Sequence, residues 1–249
     1  MTAPLLEVEG LDLRFGEIAA AQNLCVTVAT GEIVGIVGPN GAGKTTFINL
    51  ITGYLRPERG AIRLAGRDLV GRRPDAVTRL GVARSFQIPQ LFFNLTVLEN
   101  ILVGLAATEG RSLDPWRPLL TDQRMEKGRR ALAHLGLGDL AHRPASELPE
   151  GGRKLLDVAL ALVLEPRLLL LDEPTSGVSV EEKFEVMEQV TKALRVSAVT
   201  TMFVEHDMEV VRRFADRVLV LADGRFIADG EPAVVLADPE IRRAVSGRS

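Results

Sequence analysis

Residues 38–45 read Gly-Pro-Asn-Gly-Ala-Gly-Lys-Thr, the G-x-x-x-x-G-K-[ST] spacing of a phosphate-binding loop. The apolar run Ile33 to Val37 precedes the loop and a helical pattern, Lys44 to Ile51, follows it. Backbone N–H groups and a helix N-terminus therefore converge on one point, which selects a polyphosphate. Lys44 then places its ammonium on the β- and γ-phosphates, and the Thr45 hydroxyl coordinates Mg²⁺.

A triphosphate site also needs a carboxylate to support the metal and, for hydrolysis, a group that orients water. Leu168-Leu169-Leu170-Leu171-Asp172-Glu173 brings both to the end of an apolar strand, Asp172 for the metal and Glu173 for the attacking water. His206 follows another apolar strand, Thr201 to Val204, at the edge where ligands gather in α/β sheets. Its imidazole is placed for the γ-phosphate or the water, whereas His134 and His142, in the helical middle of the chain, read as structural. Gln87, in Arg84-Ser85-Phe86-Gln87, offers an amide oxygen to Mg²⁺.

These residues need strands to carry them. Short apolar runs alternate with helical patterns, the rhythm of an α/β protein with a mostly parallel central sheet. Leu6 to Phe15, Leu24 to Val28 and Ala61 to Leu64, joined by Gly-containing turns, predict an antiparallel β layer beside it. Val180, Phe184, Met187, Val190 and Leu194 form a helical core stripe. Ala106 to Arg130 reads as a loop followed by a charged helix, open to two readings: a solvated insertion or a partner-binding segment.

Composition sets the limits. The 249 residues are 46% hydrophobic and carry a formal charge of -3, which fits a soluble globular protein and removes the broad basic footprint of a nucleic-acid binder. An anionic ligand must be held locally. The single cysteine, Cys25, excludes an internal disulfide and fits a reducing compartment; Leu24 and Val26 on either side predict its burial. Glu7, Glu9 and Asp12 interrupt the first apolar residues, so no secretion signal is expected, and the apolar stretch Leu155 to Leu171 is broken by charges.

Taken in order, the motifs resemble the ATP-binding subunits of ABC transporters over nearly the whole chain. That resemblance implies a single domain, 1–249, in which 1–87 and 165–249 form a P-loop nucleotide-binding core with its β layer, and 88–164 a helical subdomain. It implies ATP and Mg²⁺ as ligands, with Phe15 stacking on adenine and Gly38, Pro39, Asn40, Gly41, Ala42, Gly43, Lys44, Thr45, Thr46 and Gln87 around the nucleotide. Thr45, Gln87 and Asp172 would hold the metal, while Glu173 and His206 would be catalytic. The sequence Leu95-Thr96-Val97-Leu98-Glu99-Asn100 and the C-terminal Gly224 to Gly230 are most similar to ATPases of branched-chain amino acid, urea and amide importers.

Two departures stand out. The family signature Leu-Ser-Gly-Gly-Gln aligns with Leu148-Pro149-Glu150-Gly151-Gly152, where Pro149 offers neither hydroxyl nor N–H and Glu150 adds a negative charge. Ser179 stands where a neighbouring loop usually ends in aspartate. The signature acts in trans, across a dimer, so asymmetric sites are expected in a heterodimer and slow hydrolysis in a homodimer. The resemblance further implies a second ATPase subunit, transmembrane permeases, indirectly a solute-binding protein, no nucleic acid, and a cytoplasmic place on the membrane. Ile88 to Phe93 reads either as a groove for a permease helix or as core packing. The alternative function is a soluble ATPase of assembly or repair. A kinase or GTPase is disfavoured, since no Asn-Lys-x-Asp guanine motif is present.

Overall fold

Burial alternates along β1 (Pro4–Phe15) and β2 (Ile18–Ala29), two long antiparallel strands, as it must when one face of a sheet packs on the core. The computed structural model describes residues 4–85, 90–108 and 121–246. On β2 the inward residues are Leu24, Val26 and Val28, so period-two geometry turns Cys25 outward. The thiol is exposed and accepts the Gly10 N–H at 3.1 Å, which corrects the expected burial. With β4 (Arg59–Leu64) and β5 (Arg67–Asp68) these strands form the expected antiparallel layer, in the order β2-β1-β4-β5.

The central sheet holds β3 (Ile33–Val37), β6 (Val82–Arg84), β7 (Leu168–Asp172), β8 (Thr200–Val204), β9 (Arg217–Ala222) and β10 (Arg225–Gly230), in the order β10-β9-β3-β8-β7-β6. All pairings are parallel except β9 with β10. β3, β7 and β8 are buried along their whole length, the signature of strands covered on both faces. Parallel pairing gathers the carboxyl ends of β3, β7 and β8 at one edge, where the phosphate loop, Asp172 and the approach to His206 emerge.

Helix α1 (Lys44–Ile51) runs directly from the loop, at the bounds the sequence predicts. Its Phe47, Ile48 and Ile51 join inner residues of both sheets in one core, and Phe47 meets Phe226 edge to face at 5.3 Å. On the opposite face of the sheet, α7 (Met208–Phe214) approaches β3 so closely that a Cβ on Gly35 would meet Val211 at 2.6 Å. α2 (Pro74–Arg79) precedes β6, and α8 (Pro232–Val235) and α9 (Pro239–Ser246) follow β10.

The remaining helices form a second compact unit: α3 (Val97–Thr108), α4 (Asp122–His134), α5 (Glu150–Leu162) and α6 (Glu182–Val196). A capping box opens α3, because Glu99 Oε2 accepts the Thr96 N–H while Thr96 Oγ1 accepts the Glu99 N–H. Asn100, 1% exposed, accepts the Phe92 N–H and donates to the carbonyls of Phe92 and Thr96, pinning the preceding turn to the helix.

Contacts group 85–166 with 174–197, leaving 1–84, 167–173 and 198–249 as the other unit. The division expected from sequence, 88–164 against 165–249, assigned α6 to the core; here it packs on α5, and a Cβ on Gly151 would meet Val186 at 3.0 Å. Val180 lies before α6 and is 67% exposed, so it leaves the predicted stripe, whereas Met187, Val190 and Leu194 are buried. Phe92 and Phe93 are also exposed, which corrects the core-packing reading.

Phe47 is fully buried where the two sheets share their core. Phe47→Ala is expected to lower the unfolding free energy by about 3–5 kcal/mol, measured by urea denaturation.

Candidate functional site

The path of the loop from β3 into α1 depends on two glycines. A Cβ on Gly38 would sit 2.0 Å from the Leu221 carbonyl oxygen, and Gly43 combines a φ of 104° with an approach that would put a Cβ 2.5 Å from the Ala20 oxygen. Any side chain at either position would push the loop off its neighbouring strands. Gly43 leaves α1 without a side-chain cap, and no acidic residue lies in the first turn. The first-turn N–H groups, which no helical carbonyl can reach, remain for an anion.

Lys44 is 7% exposed. Its Nζ donates to the Gly38 oxygen at 2.6 Å and the Pro39 oxygen at 2.9 Å, curling the side chain back over its own loop. Burial pulls the ammonium below the ordinary lysine pKa, while the negative charges of Glu173 and Asp172 pull it back up. Desolvation is the larger effect, so the loop holds a cation that an incoming polyphosphate would stabilise.

Opposite the loop, His206 Nε2 donates to Glu173 Oε1 at 2.7 Å. Glu173 adopts a φ of 52°, uncommon for a non-glycine residue, and its N–H donates to the Val204 oxygen at 3.0 Å. This bend turns the carboxylate away from the β7 axis toward β8, and backbone strain of this kind clusters at functional sites. Asp207 caps α7 by accepting the Glu209 and Val210 N–H groups, which fixes the chain just after His206.

A cavity of about 310 Å³ unites these groups: Phe15, Ile18 and Ala20 line one part, Asn40 to Thr46 another, and Glu173 and His206 a third. Phe15 is half exposed at the tip of the β1–β2 hairpin, an aromatic face at the mouth of the site. Thr45 is exposed at the start of α1. Asp172 is 7% exposed and lies outside the lining; Arg84 Nη2 donates to its Oδ2 at 2.6 Å. Gln87 lies outside the described residues. Leu148 to Gly152 belong to the helical unit, with Pro149 at the N-cap of α5 and Glu150 ion-paired to Arg153 at 3.5 Å.

The donor set fits Mg²⁺ held jointly with phosphate. Among the described residues no group of three His, Cys, Asp or Glu side chains could cage a metal. One hydroxyl, at Thr45, and one carboxylate, at Asp172, suit a small cation that completes its shell with phosphate oxygens and water.

Sequence reasoning did not single out Ile18 and Ala20 as lining, nor Arg84 and Asn49 as supports of Asp172. The available signal for Ile18 was its place beside the Gly16-Glu17 turn that follows Phe15; the structure leaves it 72% exposed. The Arg84–Asp172 contact arises from the β6–β7 register, which spacing alone does not reveal.

A family model described as ABC transporter matches residues 21–176. That span runs from β2 through the loop and β7, and the chain belongs to the ABC transporter ATPase family. It is 35% identical, over all of both chains, to the high-affinity branched-chain amino acid transport ATP-binding protein LivG of Salmonella typhimurium. It is 33% identical, again over both full lengths, to the corresponding BraF protein of Pseudomonas aeruginosa. An ATP-binding cassette of an ABC transporter crystallised in its ADP conformation superposes with a TM-score of 0.89 at 31% identity, covering 99% of this chain and 100% of that one.

The chain is thus an ATP-binding subunit of an ABC transporter, homologous to branched-chain amino acid transport ATPases, and the family implies ATP hydrolysis. Among the described residues, no helix is long and apolar enough to cross a membrane.

A phosphate set against Lys44 restores its preference for the charged form. Between its lowered pKa and the ordinary lysine value, nucleotide binding should therefore take up protons. In the same window the nucleotide-free fold gains stability as pH rises, because the unfolded chain holds the proton more tightly. Calorimetry in buffers of different ionisation enthalpy checks the uptake, which Lys44→Met should abolish.

Proposed function

We propose that this chain binds MgATP between the loop and Phe15 and hydrolyses it with Glu173 and His206, energising import of a small polar solute. The observation that carries this reading is the Glu173–His206 hydrogen bond, 2.7 Å long, in the same cavity as the phosphate loop. A carboxylate fixed by an imidazole opposite the first turn of α1 is placed to accept a proton from a water aimed at the γ-phosphorus. His206 holds the carboxylate in that orientation. Gly38 to Thr46 bind the phosphates through backbone N–H groups, and Lys44 trades the carbonyls of Gly38 and Pro39 for phosphate oxygens. Mg²⁺, held by Thr45, Asp172 and Gln87, would neutralise charge on the β- and γ-oxygens.

Branched-chain amino acids are the first candidates for the solute, because full-length relatives named for their transport share about a third of this sequence; urea and amides are the next. The chain would act on the cytoplasmic face of the membrane, bound to permease subunits and paired with a second ATPase subunit. ATP between two subunits favours the closed dimer and hydrolysis releases it, a switch ordered by nucleotide.

The two nucleotide sites of a heterodimer would be unequal. Proline at position 149 leaves the α5 N-terminus without a side-chain cap, and Glu150 puts a carboxylate in its first turn. That carboxylate neutralises helix-end charge that would otherwise favour a phosphate, and Arg153 offsets it only in part.

Glu173→Gln should lower ATP hydrolysis by about 10²–10⁴-fold while leaving ATP binding intact, compared by phosphate release and nucleotide titration in the reconstituted complex. If the sites are unequal, the same change in the partner subunit costs far less; equal losses overturn the asymmetry. The paired change Pro149→Ser with Glu150→Gly is expected to raise ATPase activity, read in the same assay.

A further inference from the structure

Arg84 joins two parts of the nucleotide site that the motifs treat separately. It is the last residue of β6, paired in register with Leu170 of β7, and so lies beside the strand end that carries Asp172. Its Nη2 donates to Asp172 Oδ2 at 2.6 Å, and its Nη1 donates to Asn49 Oδ1 at 2.7 Å. Asn49 is on α1, the helix that the phosphate loop opens. One guanidinium therefore ties the β7 carboxylate to the loop's own helix. The side chains of Arg84 and Asp172 are only 13% and 9% exposed, so the pair is shielded from the screening and competing water that weaken surface ion pairs.

We infer that Arg84 is a positioning residue for the metal-supporting carboxylate. By occupying Oδ2, it fixes the Asp172 rotamer, presents Oδ1 to the metal, and keeps the carboxylate in register with Thr45 on the same helix as Asn49. The inference rests on the proposed role of Asp172 in supporting Mg²⁺. Arg84 touches neither nucleotide nor water in this scheme. Its action is geometric: a planar fork spans two acceptors on different elements, which a lysine ammonium of the same charge, on its single flexible stem, does not reproduce.

Charge and geometry make opposite predictions for Arg84→Lys. The substitution keeps a cation beside Asp172 but loses the fork to Asn49. If geometry governs, the full-length protein with ADP should need about tenfold more Mn²⁺ to form its metal–nucleotide complex, followed by electron paramagnetic resonance. ADP affinity in EDTA, which depends on the phosphate loop, should stay at the wild-type value.

Asn49→Ala leaves the Arg84–Asp172 pair but removes its tether, and should shift the Mn²⁺ requirement in the same direction by a smaller factor. It supplies the test independently should Arg84→Lys fail to fold. Wild-type Mn²⁺ behaviour in Arg84→Lys or in Asn49→Ala, or equal losses with and without metal, would overturn the positioning role. A wild-type protein whose ADP complex gains nothing from Mn²⁺ would instead sink the reading of Asp172 itself.

Discussion

A buried ammonium organises this site. Lys44 is almost wholly removed from solvent, and a charge so placed is costly unless it is paired and hydrogen-bonded. Two loop carbonyls and the negative charges of Glu173 and Asp172 supply part of that compensation, and burial still leaves the ammonium below the ordinary lysine pKa. Lys44 follows β3 and the two carboxylates sit together at the end of β7, far away in sequence, so they meet only if β3 and β7 run parallel with their carboxyl ends at one edge. Central strands buried on both faces make that arrangement stable, and α1 packs Phe47 and Ile48 beneath the loop to hold it.

The same edge explains how a small, nearly neutral protein can bind a highly charged ligand. No broad basic surface is needed. Local donors suffice: the uncapped first turn of α1 and one lysine, with a carboxylate and a hydroxyl that would share a metal with the phosphates under the proposed function. The bent backbone at Glu173 and the cap at Asp207 then bring an acid and an imidazole into hydrogen-bond distance opposite that turn. Backbone geometry thus sets the Glu173–His206 pair against the phosphate loop in one cavity.

Much of this was legible in the sequence, for a physical reason. The phosphate loop needs its residues in a contiguous order, and a strand buried on both faces must be almost wholly apolar, so β3, β7, β8 and α1 could be read directly. Contacts set by sheet register could not. Arg84 meets Asp172 because β6 and β7 pair as they do, and Cys25 faces outward because of its phase on β2, although its apolar neighbours argued for burial. The grouping of helix α6 with α5 could not be read either, because its apolar stripe gives the helix but not its partner.

The account turns on a substrate that takes over the interactions Lys44 now makes with its own loop. The most direct test is the structure of the protein with a non-hydrolysable ATP analogue and Mg²⁺. The Lys44 Nζ should leave the Gly38 and Pro39 oxygens and lie about 2.7–3.1 Å from β- and γ-phosphate oxygens, with the Glu173 carboxylate facing the γ-phosphorus. An analogue bound elsewhere, or one seated in the loop with Lys44 still on its own carbonyls, would contradict the account.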